Sequence, residues 1–351
     1  MAIVSFLFME SIKVKVSKAA RIGLMVSVLF VVGCSGLKTR RDLRKQVSKT
    51  EEGTQTTLDS PEEKEPLSQN QRGFQEEPLP PTPPPMNKFI KLPKVGLLLG
   101  PGGAKALAHS GVIKSLLQQR IPINYVVGLE WGAVVGGLYA HEGKIHDVEW
   151  KLYKLKAEDI VNRSLFSSKV SANSVDQLSG FMEESFERNQ LNQSAIRFSC
   201  PTLHLKTAQM SWISGGTYRE AMNRCLPYPP LFKSYRSYLA AAFSYQEAVQ
   251  FLRQKGVELI VVVDVLSEQS QFSNSFPEGE EAAQLLSIEL QRHWRGQENG
   301  TFKESGIAIE WIQIDTSKYS FGDFEKKRSI MAMGERAGLR RGKMIAEKYG
   351  F

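Results

Sequence analysis

The fold is decided by two short stretches, VGLLLGPGGAKALAHSGV at residues 95–112 and YVVGLEWGAVVGGLYA at residues 125–140. In each one, a short apolar run meets a glycine-containing turn, and apolar residues at helical spacing follow the turn. This order predicts strand, turn and helix twice. Further along, a helical pattern over 245–254 precedes the β-branched run 259–263, and residues 308–314 predict another strand. Largely apolar strands alternating with helices predict a three-layer α/β fold, with helices on both faces of a mainly parallel central sheet.

The first turn, residues 100–106, is rich in glycine and opens a predicted helix. Successive glycines let bare backbone N–H groups converge at a helix N-terminus, which is a ready site for an anion. The turn could therefore hold a phosphate or an oxyanion. Glycine-rich turns between strand and helix are also common as purely structural features, so both interpretations stay open.

The second turn reads Gly128-Leu129-Glu130-Trp131-Gly132. It has the form of a nucleophile elbow, the sharp strand-to-helix turn usually written G-x-S-x-G. The flanking glycines, Gly128 and Gly132, are needed because the central residue is strained and neighbouring backbone passes close by. Here the central residue is Glu130, so the elbow lacks the alcohol that attacks an acyl carbonyl.

Together these residues resemble the patatin-like phospholipase family, in register from about Lys94 and more weakly after Val265. Residues 102–112 are similar to that family's oxyanion loop, GGGxRG followed by LAHxGV, and Lys105 stands at its arginine. Residues 132–140 and 221–232 also resemble family segments. The resemblance implies a patatin-like fold and acyl-ester hydrolysis by a Ser–Asp dyad, with no cofactor. The oxyanion-loop residues carried over are Gly102, Gly103, Ala104 and Lys105.

Both dyad positions are substituted in this alignment. Glu130 stands at the serine, and counting back from Gly256 places Ala240 at the aspartate. Loss of a hydrolase nucleophile removes about six decades of turnover. We therefore expect a catalytically inactive domain that binds a lipid, an acyl ligand or a protein partner in the envelope. An acyl hydrolase that uses Glu130 in place of the serine is the alternative, and a regulator that competes with an active relative is a third possibility.

Four expectations concern the side chains around the elbow. Glu130 is expected to occupy the oxyanion site in its ionised form, because a helix N-terminus favours negative charge, and to pair with Lys105. Trp131 either fills the space of an acyl chain or packs as an ordinary core residue. His109 is expected to pack rather than to act as a base. The histidines show no metal-ligand spacing, so no metal site is expected.

The amino-terminal region predicts export and lipidation. Residues 1–33 have the basic and short apolar segments of a signal peptide, and Val31-Val32-Gly33-Cys34 resembles a lipobox. Cys34 would then carry the lipid, with acyl chains such as palmitate, and anchor the chain to a membrane. An uncleaved signal anchor with an ordinary cysteine is the alternative. Because Ser35 is not aspartate, the resemblance favours the outer membrane, facing the periplasm of a bacterial cell.

Residues 34–90 are polar and rich in proline, which predicts a disordered tether before a patatin-like domain at residues 91–351. The two other cysteines, Cys200 and Cys225, are either free or bridged. The formal charge of +8 includes the basic residues of the signal, and no basic stripe interleaved with aromatics indicates nucleic acid. The basic stretch 326–343 predicts a helix that faces either solvent or anionic lipid.

Overall fold

The computed structural model describes residues 91–160, 162–163, 170–187, 189–229, 231–266, 281–297 and 307–351. The predicted signal peptide, Cys34 and the tether lie outside these residues. Within the described ranges, no helix combines the length and the apolar character needed to cross a bilayer.

A seven-stranded sheet forms the centre of the domain, in the order β6-β5-β2-β1-β8-β9 with β7 also paired to β5. Strands β1, β2, β8, β9 and the first part of β5 pair in parallel, whereas β6 and β7 pair antiparallel to β5. This confirms the predicted α/β class with a mainly parallel sheet. The strands are β1 (Val95–Leu99), β2 (Tyr125–Gly128), β5 (Arg197–His204), β6 (Gln209–Ile213), β7 (Tyr238–Ala240), β8 (Leu259–Asp264) and β9 (Ala308–Gln313), and a separate pair is formed by β3 (Asn162–Arg163) and β4 (Val170–Ser171).

Helices flank the sheet in a three-layer arrangement. The core lies between the layers, and every residue of β1 and β8 is buried because both faces of these strands are covered. The helices are α1 (Ala108–Gln118), α2 (Trp131–Glu142), α3 (Ile145–Lys154), α4 (Ser179–Phe186), α5 (Tyr218–Cys225), α6 (Tyr245–Gln254), α7 (Glu281–Gln297) and α8 (Lys327–Tyr349).

The long helix α8 lies against α1 through glycines. A Cβ placed on Gly334 would lie 1.8 Å from the carbonyl oxygen of Ala108, and one on Gly111 would lie 2.1 Å from that of Met331. The two helix backbones therefore approach so closely at these glycines that no side chain would fit between them. This contact fixes α8 beside the helix that follows the first glycine-rich turn.

A disulfide joins Cys200 of β5 to Cys225 at the end of α5. Both residues are fully buried. The bridge settles the question that the sequence left open, and it ties the segment before β7 to the sheet.

The pairing along β5 decides where β7 lies. β6 covers one edge of β5, so β2 and β7 share the other edge. Val127 of β2 pairs with Ser199, and Ala240 of β7 pairs with Thr202, three positions farther along β5. β7 therefore continues the line of β2 past its carboxyl end, which is where the second turn begins.

Candidate functional site

Glu130 stands at the tip of the turn between β2 and α2, with φ 53° and ψ −122°. A positive φ is strained for a residue with a side chain, and it is the backbone that an elbow requires. The neighbouring glycines make the turn possible: a Cβ on Gly132 would lie 2.5 Å from the carbonyl oxygen of Leu99, and one on Gly128 would lie 2.3 Å from that of Gly132. The structure confirms the predicted strand, turn and helix, and it places Glu130 at the tip.

The first turn delivers two backbone amides to the Glu130 carboxyl group. The N–H groups of Gly102 and Gly103 both donate to Oε2 of Glu130, each over 2.9 Å. Gly103 has a positive φ of 56° and begins a short 3₁₀ helix that ends at Leu107, and the N–H of Ala104 is held by the carbonyl of Phe321 at 2.8 Å. The two glycine-containing turns therefore meet at Glu130, whose oxygen fills the anion site of the first turn.

Burial raises the pKa of Glu130 from its ordinary value of 4.5 to about 7. The N–H groups of Gly102, Trp131 and Gly103 lower the pKa, but the loss of solvation outweighs them. Glu130 as a whole is 1% exposed, so the carboxyl group loses nearly all contact with water. The turn favours the ionised form as expected, but the expectation that Glu130 would be held ionised was wrong, because the sequence showed the donors and not the depth of burial.

The expected pairing of Lys105 with Glu130 was also wrong. Nζ of Lys105 is buried and has no hydrogen-bond partner in the described part of the chain, and it lies 5.3 Å from the centre of the Phe321 ring. Burial lowers the pKa of Lys105 to about 8, while Asp323 and Asp315 oppose the shift. The ammonium group is therefore directed to the segment before α8 and not to the elbow.

His109 holds the first turn. Its Nε2 donates to the carbonyl of Gly100 over 2.8 Å, and burial lowers its pKa to about 4. The imidazole is therefore neutral near pH 7, with one nitrogen already used by the backbone. This geometry agrees with the packing role expected from the sequence.

Trp131 follows Glu130 and is fully buried. Its ring centre lies 4.6 Å from that of Phe324 and 6.4 Å from that of Phe232. The indole thus fills the interior beside the elbow with aromatic contacts. These contacts fit the core-packing interpretation.

Ala240 ends β7, and its place in the sheet brings it to the carboxyl end of β2, close to the elbow. Its N–H donates to the carbonyl of Pro227 over 2.7 Å. Tyr228 follows Pro227 in the chain. Burial raises the pKa of its phenol, and the nearby Glu130 carboxylate raises it further. The alanine side chain contributes no acid or base at this position.

Sequence reasoning missed three aromatic residues around the site. Tyr228 approaches Glu130, Phe321 contacts the first turn, and Phe324 packs against Trp131 with its ring tilted. Of these three residues, only Tyr228 could have been found from the sequence, because it lies in the segment 221–232 that resembles the family. Across the described residues, no three His, Cys, Asp or Glu side chains group as a metal site.

Comparisons with known proteins agree with this architecture. The family model described as patatin-like phospholipase matches residues 97–286, more than half of the chain. The lysophospholipase NTE1 of Pyricularia oryzae is 29% identical over 180 residues, and that of Emericella nidulans is 27% identical over 180 residues; each alignment covers 49% of this chain and 12% of the relative. The chain therefore spans only a small part of the length of these relatives. A solved structure, VipD from Legionella pneumophila, matches with 11% identity and a TM-score of 0.39, covering 74% of this chain and 67% of that one. With a family model matched over most of the domain, the chain belongs to the patatin-like phospholipase family.

Proposed function

We propose that this chain is a lipid-anchored protein of the bacterial envelope whose patatin-like domain does not hydrolyse acyl esters and instead binds a lipid or protein partner. The observation that carries the proposal is the pair of bonds from Gly102 and Gly103 to Oε2 of Glu130. In acyl transfer, such N–H groups must be free to stabilise the oxyanion of the tetrahedral intermediate, and loss of one donor costs about a hundredfold or more in turnover. Here both donors have an acceptor within the protein.

The residues at the two dyad positions support the same proposal. A carboxyl group stands at the elbow and a methyl group stands at the end of β7. Neither the attacking alcohol nor the aspartate that would accept its proton is present at these positions. His109, the other candidate base, has Nε2 bonded to Gly100. The domain would thus keep the family fold, with the Glu130 side chain occupying the site where an acyl ester would react.

The attachment to a membrane is proposed from the sequence. Residues 1–33 as a signal peptide and Cys34 as the lipidated residue would anchor the domain, with residues 34–90 as a tether, to the outer membrane on its periplasmic side. The disulfide between Cys200 and Cys225 supports export, because disulfides persist in oxidising compartments.

A second candidate function is acyl hydrolysis that depends on Glu130. The observation in its favour is the pKa of Glu130, raised to about 7, since groups that transfer protons at neutral pH have pKa values in this range. In this case the carboxyl would leave the amides of the first turn when substrate binds.

An esterase assay separates the two candidates. Purified full-length protein and its Glu130→Ala variant are compared on p-nitrophenyl acyl esters of increasing chain length. We expect both to hydrolyse the esters at the uncatalysed rate, because no nucleophile is positioned at the elbow. Turnover by the wild type that Glu130→Ala abolishes would establish the second candidate and refute the first.

Rebuilding the dyad tests whether the filled site is the cause of inactivity. The variant with Glu130→Ser and Ala240→Asp frees the two amides and restores both family side chains, so we expect ester hydrolysis to appear. The matched control is Glu130→Ala with Ala240→Asp, which frees the amides but has no alcohol. If the rebuilt variant is as inert as this control, Glu130 and Ala240 are not the cause of inactivity, and the proposal that Glu130 blocks the site is refuted.

A further inference from the structure

Helix α3 exposes two aromatic rings on one face. Trp150 is 64% exposed and Tyr153 is 39% exposed, three residues apart and therefore adjacent on the helix surface. Neighbouring exposed aromatic rings form an apolar patch rimmed by polar side chains, which is the kind of patch that marks an interaction surface. The other four tryptophans, Trp131, Trp212, Trp294 and Trp311, are buried or half-buried.

Cationic side chains surround these two rings and join α3 to the start of α8. Nζ of Lys154 lies 5.7 Å from the Trp150 ring centre, and the guanidinium carbon of Arg328 lies 5.5 Å from the Tyr153 ring centre. Lys327 donates to the carbonyl of Tyr153 over 2.8 Å and also to that of Leu155. The end of α3 and the start of α8 thus form one surface.

The outward face of α8 continues this surface. Arg336, Leu339 and Arg340 are exposed at spacings of three and four residues, while the opposite face packs on α1. Within the described residues, none of the three arginines Arg328, Arg336 and Arg340 takes part in an ion pair. We define the α3–α8 surface by its exposed members Trp150, Tyr153, Lys154, Arg328, Arg336, Leu339 and Arg340.

The composition of the α3–α8 surface matches one kind of partner. Lys154 is the one cation of this surface with an ion pair among the described residues, to Glu184 of α4, so the three arginines leave it with a net positive charge. Exposed tryptophan and tyrosine beside unpaired cations are typical of surfaces that lie at the level of lipid headgroups, where the ring is amphipathic and the cation faces phosphate. Helix α8 also begins three residues after Phe324, whose ring packs on Trp131, so the surface borders the candidate site.

We propose that the α3–α8 surface binds the headgroup region of an anionic bilayer, so that the domain contacts the membrane directly and not only through an amino-terminal anchor. Trp150 and Tyr153 insert at headgroup depth, and Arg328, Arg336 and Arg340 contact lipid phosphates. This contact holds the domain in one orientation, with the outward face of α8 lying along the membrane.

Quenching of Trp150 by brominated lipid tests the proposal. The full-length chain is mixed with vesicles of brominated phosphatidylcholine, with or without phosphatidylglycerol. The Trp150→Phe variant gives the emission of the other four tryptophans, and subtracting it from the wild-type emission leaves that of Trp150. However the amino-terminal region attaches to the vesicle, bromine reaches Trp150 only if the α3–α8 surface touches lipid. We expect the Trp150 component to be quenched on the vesicles that contain phosphatidylglycerol, and the quenching to be lost at high salt because salt screens the contact.

Two charge-reversal variants supply the control. Arg328→Glu with Arg336→Glu and Arg340→Glu should abolish the quenching. Lys94→Glu with Arg197→Glu and Lys255→Glu makes the same change in charge around a cleft at the amino-terminal ends of the central strands, the end of the sheet away from the elbow, and it should leave the quenching intact. Thermal unfolding verifies that both variants fold. No quenching of wild-type Trp150 on anionic vesicles, equal quenching on phosphatidylcholine alone, or equal loss in both variants would overturn the proposal.

Discussion

Glu130 and Lys105 are buried side chains with pKa values close to neutrality. Burial shifts each pKa in the direction that favours the uncharged form of the group. The pKa of Glu130 rises to about 7 and that of Lys105 falls to about 8. Both shifts have loss of solvation as their largest cause, because a low-dielectric interior penalises either sign of charge. Since the two groups do not pair, neither charge compensates the other.

The raised pKa of Glu130 predicts a stability that depends on pH. Below the ordinary pKa of 4.5 the carboxyl is protonated in the folded and in the unfolded chain; between 4.5 and about 7 only the unfolded chain ionises, so stability falls as pH rises. Relative to Glu130→Gln, the wild-type free energy of unfolding should fall by on the order of 3 kcal/mol across this window. Urea unfolding of both proteins at a series of pH values measures the difference.

The Gln variant is the matched control because its amide oxygen can accept the same two N–H groups and cannot ionise. Any pH dependence that the two proteins share comes from other groups and cancels. A wild-type protein that gains stability over Glu130→Gln as pH rises would mean that the amides outweigh burial and that the pKa is depressed.

Sequence reasoning located both turns and the tip residue because glycine spacing records backbone constraints directly. It failed for Lys105, whose surroundings come from Phe321, Asp315 and Asp323, more than 200 positions away in the chain. Local pattern carries no information about which distant loop covers a side chain. The pairing of Lys105 with Glu130, expected from the meeting of the two turns, therefore failed even though the turns do meet.

At the scale of elements, the contact between α1 and α8 depends on backbone proximity. Gly334→Ala would place a Cβ 1.8 Å from the carbonyl oxygen of Ala108, so the helices must separate. We expect a loss of about 2 kcal/mol or more in the free energy of unfolding, measured by urea unfolding. Gly180→Ala is the control: Gly180 lies within α4 with open space around its Cβ position, and alanine should stabilise that helix slightly. Equal effects of the two substitutions would contradict the close approach.

The strands β1, β2, β8 and β9 were predicted within about one residue of their observed bounds. The runs of β1, β2 and β8 are apolar because parallel strands covered on both faces need such runs, whereas β9 is an edge strand with alternating burial. The strands β5, β6 and β7 were missed. β5 contains Pro201, β6 is only partly buried, and β7 has three residues, so none has a distinctive apolar period. Their antiparallel pairing depends on contacts between distant segments and not on local pattern.

For the whole molecule, the disulfide between Cys200 and Cys225 connects stability to compartment. Replacing both cysteines with serine removes a bridge across a separation of 25 residues and should lower the free energy of unfolding by about 3 kcal/mol. Urea unfolding of wild type and variant measures the loss, and reduction of the wild type should reproduce most of it. Wild-type protein from an oxidising compartment that reacts with iodoacetamide at both cysteines before reduction would contradict the bridge.

The occupied pair of glycine amides also determines how this protein would respond to chemical reagents. Fluorophosphonates label serine hydrolases because an activated hydroxyl attacks phosphorus while the backbone donors hold the new P–O⁻ group. In this molecule the N–H groups of Gly102 and Gly103 already bond Glu130, and the tip of the turn carries no hydroxyl. Covalent tagging with such a reagent would accordingly leave this protein unmarked in a sample where active serine hydrolases are tagged.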